Sequence, residues 1–359
     1  MTLGSAVSLR YQCRLWIYLR EVELPPNDVR QPRLAVLANG MPLDNVISAD
    51  VQSNAYMAAD RFSIIIAHST SDDAFWSTLP VLIEIQMNVG AEQVSLIVGH
   101  ADSVELDPIR GEAHVHGRDL TGLFISAQIA ETFENQTASD IATLLAGRHG
   151  LTANVAITSV LVGRYYQIGR TRQALSQQSR ATSEWDVLTW LADQEGYDMW
   201  VSGQTLNFQP PQSGTPVAAL TPSTCITLRV RQALDLAAGL TVKIQSWCSL
   251  TERTVSEMAT TTMGRSGGMM LTANKPNISS NDALTMAQNA LSILSLHETE
   301  LIFEVPGELT MAPRTTLAFS QIGSGFDGVY EIAEVDRHIS FARGFVQTVV
   351  ARGMPWTPS

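Results

Sequence analysis

A chain of 359 residues is long enough for two to three domains, each with a core of its own. A hydrophobic content of 45% excludes an intrinsically disordered chain, and charged residues reach only 16%, against roughly 25% in an average soluble domain. A surface short of charge suits large subunit contacts or a chain merely rich in Ser, Thr, Ala and Gln, and a net charge of −12, spread along the sequence, argues against affinity for nucleic acid or anionic membrane.

Residues 1–31 read as an N-terminal arm, packed on a neighbour or loose: an apolar patch with Trp16 and Tyr18, closed off by Pro25, Pro26 and Pro32. Its apolar run 15–19 is too short for a secretory signal or a membrane span, so the chain is expected to stay in the cytosol unless another component carries it out. From Arg33 the pattern turns to short strands. Residues 34–38 run into Asn39-Gly40, a strong hairpin signal. Phe62, Ile64 and Ile66 share one strand face, and Val81, Ile83, Ile85 and Met87 repeat the alternation with Glu84 and Gln86 turned away. Strands at 94–98 and 113–116 complete a run spaced like an antiparallel barrel or sandwich.

The character changes near Gly117. Thr137 with Asp140 forms a capping box before an apolar stripe of Ile141, Leu144 and Leu145, with Gly147 and Gly150 to end the helix. Ser183 with Asp186 repeats the device before Trp185, Leu188, Trp190 and Leu191, and Gly196 sits where that helix stops. A hairpin turning at Ser202-Gly203 follows, then a linker of Pro210, Pro211, Gly214 and Pro216. Trp185, Trp190 and Trp200 are expected inside one small core. Further strands are predicted at 226–230, 241–247, 300–305, 315–319, 329–336 and 345–352, with a flexible loop over 260–268 and one helix from Ser279 to near His297. The fold class expected is mainly β (α+β): an arm over 1–31, a first barrel over 32–128 with 218–238 as a candidate segment to complete it, an α/β insertion over 129–217, and a second barrel with one helix over 239–359.

Chemistry-bearing constellations are sparse. Gly323, Gly325 and Gly328 have dinucleotide-loop spacing, but a strand rather than a helix follows, so a glycine-rich hairpin accounts for them. His114 and His116 alternate onto one strand face without an evident third metal ligand, and His297 reads as a helix C-terminal residue near the dipole. Cys13, Cys225 and Cys248 are too few and too scattered for a disulfide framework or a close-spaced zinc site. Asp72 and Asp73 sit in a polar loop. Arg164, Tyr165, Tyr166, Arg170 and Arg172 interleave bases with aromatics, as single-strand grips do and as protein interfaces also do. The sequence contains no G-x-S-x-G elbow, H-E-x-x-H helix or Walker loop. These readings assign no catalytic, cofactor or metal residue.

Several stretches together resemble the late-control D or tail baseplate hub family, related to the tube-like part of VgrG spike proteins. Val115-His116-Gly117-Arg118-Asp119-Leu120-Thr121 resembles the family's strand and turn. Glu131 to Thr137 and Ala181 to Asp186, with Trp185, are similar to two helix entries, and Val242 to Trp247 to the strand opening the second barrel. Pro306-Gly307, Pro313-Arg314, Phe326-Asp327-Gly328 with Tyr330, and His338 with Gly344 are similar to its C-terminal signature, so the resemblance spans about 33–353. It implies two tail-tube-like barrels per chain and a homotrimeric ring that presents six barrel units to a hexameric tail tube protein. It also implies a central spike protein at the other end, baseplate wedge proteins at the periphery, and DNA passing through without specific binding. It implies no cofactor, no membrane, and a place in the virion tail after assembly in the host cytoplasm. The motif and interface candidates it carries over are Arg118, Asp119, Trp185, Trp247, Pro306, Gly307, Pro313, Arg314, Asp327, Gly328 and Tyr330. The arm has no counterpart in the resemblance. An end at Ser359 without a fused spike favours a hub with a separate spike over a VgrG-like fusion. The alternatives are a hub of a related injection machine and a tail-associated enzyme that cleaves cell wall.

Overall fold

Asn39 and Gly40 adopt φ angles of 51° and 80°, the left-handed conformations of a two-residue hairpin turn, and reverse the chain between β1 (Arg33–Ala38) and β2 (Met41–Pro42). The computed structural model describes residues 32–67, 80–89, 92–131, 133, 135–162, 183–211, 214–248, 253–261, 268–275, 278–323 and 325–353. The arm, Asp72 and Asp73, the cluster from Arg164 to Arg172 and most of the 260–268 loop lie outside them. The hairpin is followed by β3 (Val46–Asn54), β4 (Arg61–Ala67), β5 (Leu82–Val89), β6 (Glu92–Asp107) and β7 (Glu112–Asp119). The apolar positions of β4 and β5 are buried as their alternation predicts. β3 carries no such signal because Ser48 and Ser53 are buried beside its Ala49 and Val51.

A short helix α1 (Thr121–Ser126) leads into the segment with two capping boxes. There stand β8 (Gln136–Thr137), α2 (Ala138–Arg148), β9 (Thr152–Val155), β10 (Leu161–Val162), α3 (Glu184–Glu195), β11 (Asp198–Ser202) and β12 (Thr205–Gln209). Both boxes form: Thr137 and Asp140 exchange hydrogen bonds, as do Ser183 and Asp186. Gly196 ends α3 at φ 69°. The hairpin turns at Gly203-Gln204, one residue later than the spacing predicts. Leu144 is exposed, so the α2 stripe runs through Ile141 and Leu145. Of the three tryptophans placed in this core, Trp185 is buried and Trp190 packs on its margin, whereas Trp200 lies beside Arg314 instead.

The rest of the chain supplies β13 (Ala219–Leu220), β14 (Thr227–Gln232), α4 (Leu234–Ala237), β15 (Leu240–Cys248), β16 (Arg253–Thr260), β17 (Met269–Asn274) and α5 (Ser280–Ser295). It ends with β18 (Thr299–Pro306), β19 (Thr316–Phe319), β20 (Gly328–Ser340) and β21 (Gly344–Gly353). Two expectations need correction. The 218–238 segment pairs with β18 and β19, so it completes the C-terminal strands rather than the first set. β15, expected to open a second barrel, stands outside the large sheet: among the described residues it pairs only with β16 and β17, and this small sheet packs on α5 through Val242, Ile244, Ala283 and Ala287.

The large sheet has thirteen strands in the order β14-β18-β21-β20-β3-β4-β7-β6-β5-β1-β2, with β19 on β20 and β13 on β19. Among the described residues this path does not close on itself into a barrel. It contains one arrangement twice, because β5-β6-β7-β4-β3 has the same order as β19-β20-β21-β18-β14. The match extends to detail. The β6–β7 register shifts between Ala101 and Ser103, the β20–β21 register between Ile332 and Glu334. Just before each shift one amide donates to the residue ahead of the neighbouring strand, Ala101 N to Val81 O and Ile332 N to Thr315 O. The two halves meet where Glu334–Ser340 of β20 pairs antiparallel with Asn54–Ser48 of β3, over a small core of Met87, Ile339 and Phe345.

Trp185 packs near Phe124, ring centroids 6.0 Å apart, and donates Nε1 to Met57 O at 2.8 Å. Truncating Trp185→Ala is expected to cost about 3 to 5 kcal/mol, read as a lower denaturant midpoint at unchanged slope. An unchanged midpoint would contradict its place in the core.

Candidate functional site

The joint between the halves gathers part of the motif set. Pro313 and Arg314 form the turn ahead of β19, with Arg314 held at φ 70°. Its guanidinium reaches three parts of the molecule: Nη1 donates to Asn54 O at the end of β3 (3.1 Å), Nη2 to Met199 O in β11 (3.3 Å), and the group stacks 4.6 Å over the Trp200 ring. Burial pulls its pKa down, and the carboxylates of Asp198, Asp60 and Glu331 oppose that pull. Next to it is a cavity of about 360 Å³ lined by Asp60, Asp119, Trp200, Pro313, Arg314 and Arg337. Asp119, only 6% exposed, accepts from Thr121 N and Oγ1 at 3.2 and 3.0 Å. Burial and the Asp60 carboxylate push Asp119 up to about 8, and burial pushes Asp60 up to about 6. Buried Arg337 donates to Met311 O.

Arg118, one residue before Asp119, points to the opposite face of the sheet. It makes a forked pair with Asp102 (2.6 and 2.9 Å) beside a groove of about 640 Å³ over the β3–β20 joint, which Asp50, Glu304, Asp336, His338 and Arg343 also line. His338 and Asp50 meet there at 2.5 Å. Burial, Glu334 and Asp50 raise Asp336 to about 6.

The remaining candidates lie apart. Trp247 is 57% exposed on the outer face of β15, with Gln245, Thr254 and Asn274 around it. Gly307, after exposed Pro306, permits close approach of Phe345, whose ring would lie 2.1 Å from an added Cβ. Asp327 accepts from the amides of Ile322 (2.9 Å) and Gly323 (3.4 Å), which holds its carboxyl below the usual range. Gly328 then opens β20, and the Tyr330 hydroxyl donates to Phe326 O. These residues build the β19–β20 hairpin, so the glycine triplet is a hairpin as its following strand implies.

Arg352 is a participant that sequence patterning does not single out. It is buried, 4.9 Å from the Tyr56 ring, 3.8 Å from the Glu331 carboxylate and 3.1 Å from His297 Nε2. Burial and the Arg352 charge lower the His297 pKa, and His297 follows the end of α5, as its reading as a helix C-terminal residue implies. His114 lies 3.4 Å from Glu112, and among the described residues no three His, Cys, Asp or Glu side chains gather as metal ligands. What this arrangement can do chemically is bind segments together and hold protons, with exposed polar faces on either side.

Solved structures with the same fold include tail proteins and a component of the type VI secretion system. The tail protein from Neisseria meningitidis superposes with a TM-score of 0.72 at 17% identity, over 91% of this chain and 98% of its own. The 43 kDa tail protein of prophage MuSo2 from Shewanella oneidensis gives 0.69 at 17%, over 90% and 99%. An Escherichia coli component of the type VI secretion system, itself similar to T4 bacteriophage tail proteins, gives 0.58 at 14%, over 90% and 77%. No protein-family model and no curated protein matches the chain.

The acid pair at the joint predicts a pH dependence. Both carboxyls have folded-state pKa values above the ordinary 3.8, so the native state keeps protons that the unfolded chain has lost. The stability they contribute is complete below that value and is lost as pH rises through about 6 and then about 8. The urea midpoint is expected to fall between roughly pH 4 and pH 8. Asp119→Asn, which keeps the shape and removes the titration, should flatten that fall; an equally steep fall in the variant would assign it to other groups.

Proposed function

We propose that this chain is the structural baseplate hub of a contractile phage-type tail. In this reading three copies form a ring that adapts a hexameric tail tube to a separate central spike, with wedge proteins around it and DNA passing through. The observation that carries the reading is the doubled strand order within one continuous sheet. A chain with two equivalent halves lets three copies offer six equivalent units to a six-fold partner. The shared fold with tail proteins supports the same conclusion. The halves then act as the two tube-like units, 32–128 and 239–359, with the segment 218–238 belonging to the second; 129–217 is the satellite between them. Arg314, Asp119 and Pro313 serve to fix the joint, while Arg118 and Trp247 face partners. A type VI component of the same fold favours, as a second reading, the hub of a related injection machine.

Light scattering across a dilution series is expected to give about 117 kDa, three times the 39.1 kDa of one chain; a mass of 39.1 kDa throughout would sink the ring. A wall that lets a polyanion pass binds it weakly, since each cationic phosphate contact adds affinity through counterion release. The net charge of −12 suits that, with Glu304 and Asp336 in the groove and Glu84, Glu105, Asp107, Glu308 and Glu331 elsewhere in or beside the strands. Purified protein is therefore expected to retain no double-stranded DNA at physiological salt. A salt-sensitive gel shift abolished by replacing Arg164, Arg170 and Arg172 would overturn the passive channel.

A further inference from the structure

The doubled strand order leaves two open edges, and the closed joint between the halves shows what each edge lacks. β3 has β4 on one side and β20 on the other. Its counterpart β14 has β18 on one side, and among the described residues no strand on the other. The far half of β20 lies between β21 and β3. In its counterpart β6, the residues after the register shift at Ala101 have β7 on one side and, again among the described residues, no strand on the other. Burial records the difference. Ala49 and Val51 of β3 are fully covered, whereas Leu228 and Val230 of β14 are half-buried. Val335 of β20 is fully covered, whereas in β6 Val104 is half-buried and Leu106 is 44% exposed.

We infer that a second copy of this chain closes these edges: β14 of one copy pairs antiparallel with the segment 102–107 of the next, extending the sheet from subunit to subunit. The register follows from the repeat. Val51 pairs through Phe62 to Gly117, opposite Ala101 at the β6 register shift, and Val230 through Leu301 to Ala351, opposite Ile332 at the β20 shift, so Val51 and Val230 are equivalent. Ser103 and Glu334, the first residues after each shift, are equivalent too. Val51 faces Arg337 in the closed joint, three residues past Glu334. Val230 therefore faces Leu106 across the new one, and the neighbouring outward pairs become Arg231 with Glu105 and Arg229 with Asp107. Both pairs join opposite charges directly across the ladder. The register is fixed by backbone pairing alone, so this charge complementarity is independent of it. The contact is head-to-tail, with a different surface on each copy, the kind that builds rings rather than two-fold dimers.

This inference deepens the hub reading and rests on its claim that copies assemble, so the experiment separates the two. Wild type, Arg231→Glu, Glu105→Arg and the two reversals combined are compared by light scattering over one concentration range, with thermal unfolding to establish that each variant is folded. The expected result is an assembled wild type, single reversals that need at least tenfold more protein to assemble, and recovery in the combination. A second readout joins Leu106→Cys with Val230→Cys: oxidation should give covalent trimers on denaturing gels, and neither single cysteine should. An assembled wild type whose mass neither reversal alters, and in which the paired cysteines do not cross-link, overturns the strand pairing and leaves the hub reading in place. A wild type that stays monomeric at every concentration overturns both.

Discussion

The pairing of β20 with β3 is the constraint on which the molecule turns. β20 serves three partners: β21 lies along it from Tyr330 to Ser340, its first residues pair with β19, and its last seven pair with β3, almost three hundred positions earlier in the chain. A bulge at Ala333 separates the two stretches, and bulges increase local twist, which lets one strand serve two differently oriented neighbours. Shifting the pairing by one residue would turn Val335 and Ile339 out of the core, so the register is set by burial. With that register fixed, Arg337 points inward, and Asp60, Asp119 and Arg314 share one cavity with it.

Arg314 then settles where the satellite core sits. Removing its side chain would leave the carbonyls of Asn54 and Met199 without donors, so the β3 end and β11 lose a common partner at once. A buried guanidinium is a poor way to gain raw stability, because desolvation offsets much of the attraction to nearby carboxylates. What it supplies is direction: a planar donor fork accepts few placements of its acceptors, and an aliphatic side chain would accept many. The acids around it respond to the same scarcity of water, which is why Asp119 is pushed so far above an ordinary carboxyl.

The parts legible in the sequence are those set by neighbours along the chain. The Asn39-Gly40 turn, the alternation in β4 and β5, both capping boxes and the Gly196 stop each depend on residues a few positions apart. β3 escaped because buried serines blur its period; β15 is legible as a strand, but its partner β17 escaped because all of its residues are exposed. The joint has no signature in hydrophobic period or turn residues, and only the family resemblance singles out Asp119, Pro313 and Arg314. Arg314 and Arg352 look like ordinary surface cations until contacts from remote strands enclose them. The repeat is equally hidden, because equivalent buried positions differ in residue type, as Phe62 and Leu301 or Gly117 and Ala351 illustrate. The family resemblance reached the fold by a different route, through motif residues such as Gly307 and Tyr330 whose task is to let rings and backbone meet closely.

The closed joint and the open edges differ in a way that fits their different tasks. Within one chain the two strands are always near each other, so their contact needs little help from long-range attraction, and its outward pairs are mild: Asp50 with His338, and Gln52 beside Asp336. Two separate chains must first meet and then choose a register. Full charges of opposite sign speed encounter and penalise a slip, since moving the ladder by two residues would break one of the two ion pairs. Before assembly the same charges protect an otherwise sticky edge, because Arg229 and Arg231 on β14 discourage pairing with another copy of β14. One repeated architecture thus carries two kinds of seam, one held by chain connectivity and buried packing, the other readable only in the charges left at its edges.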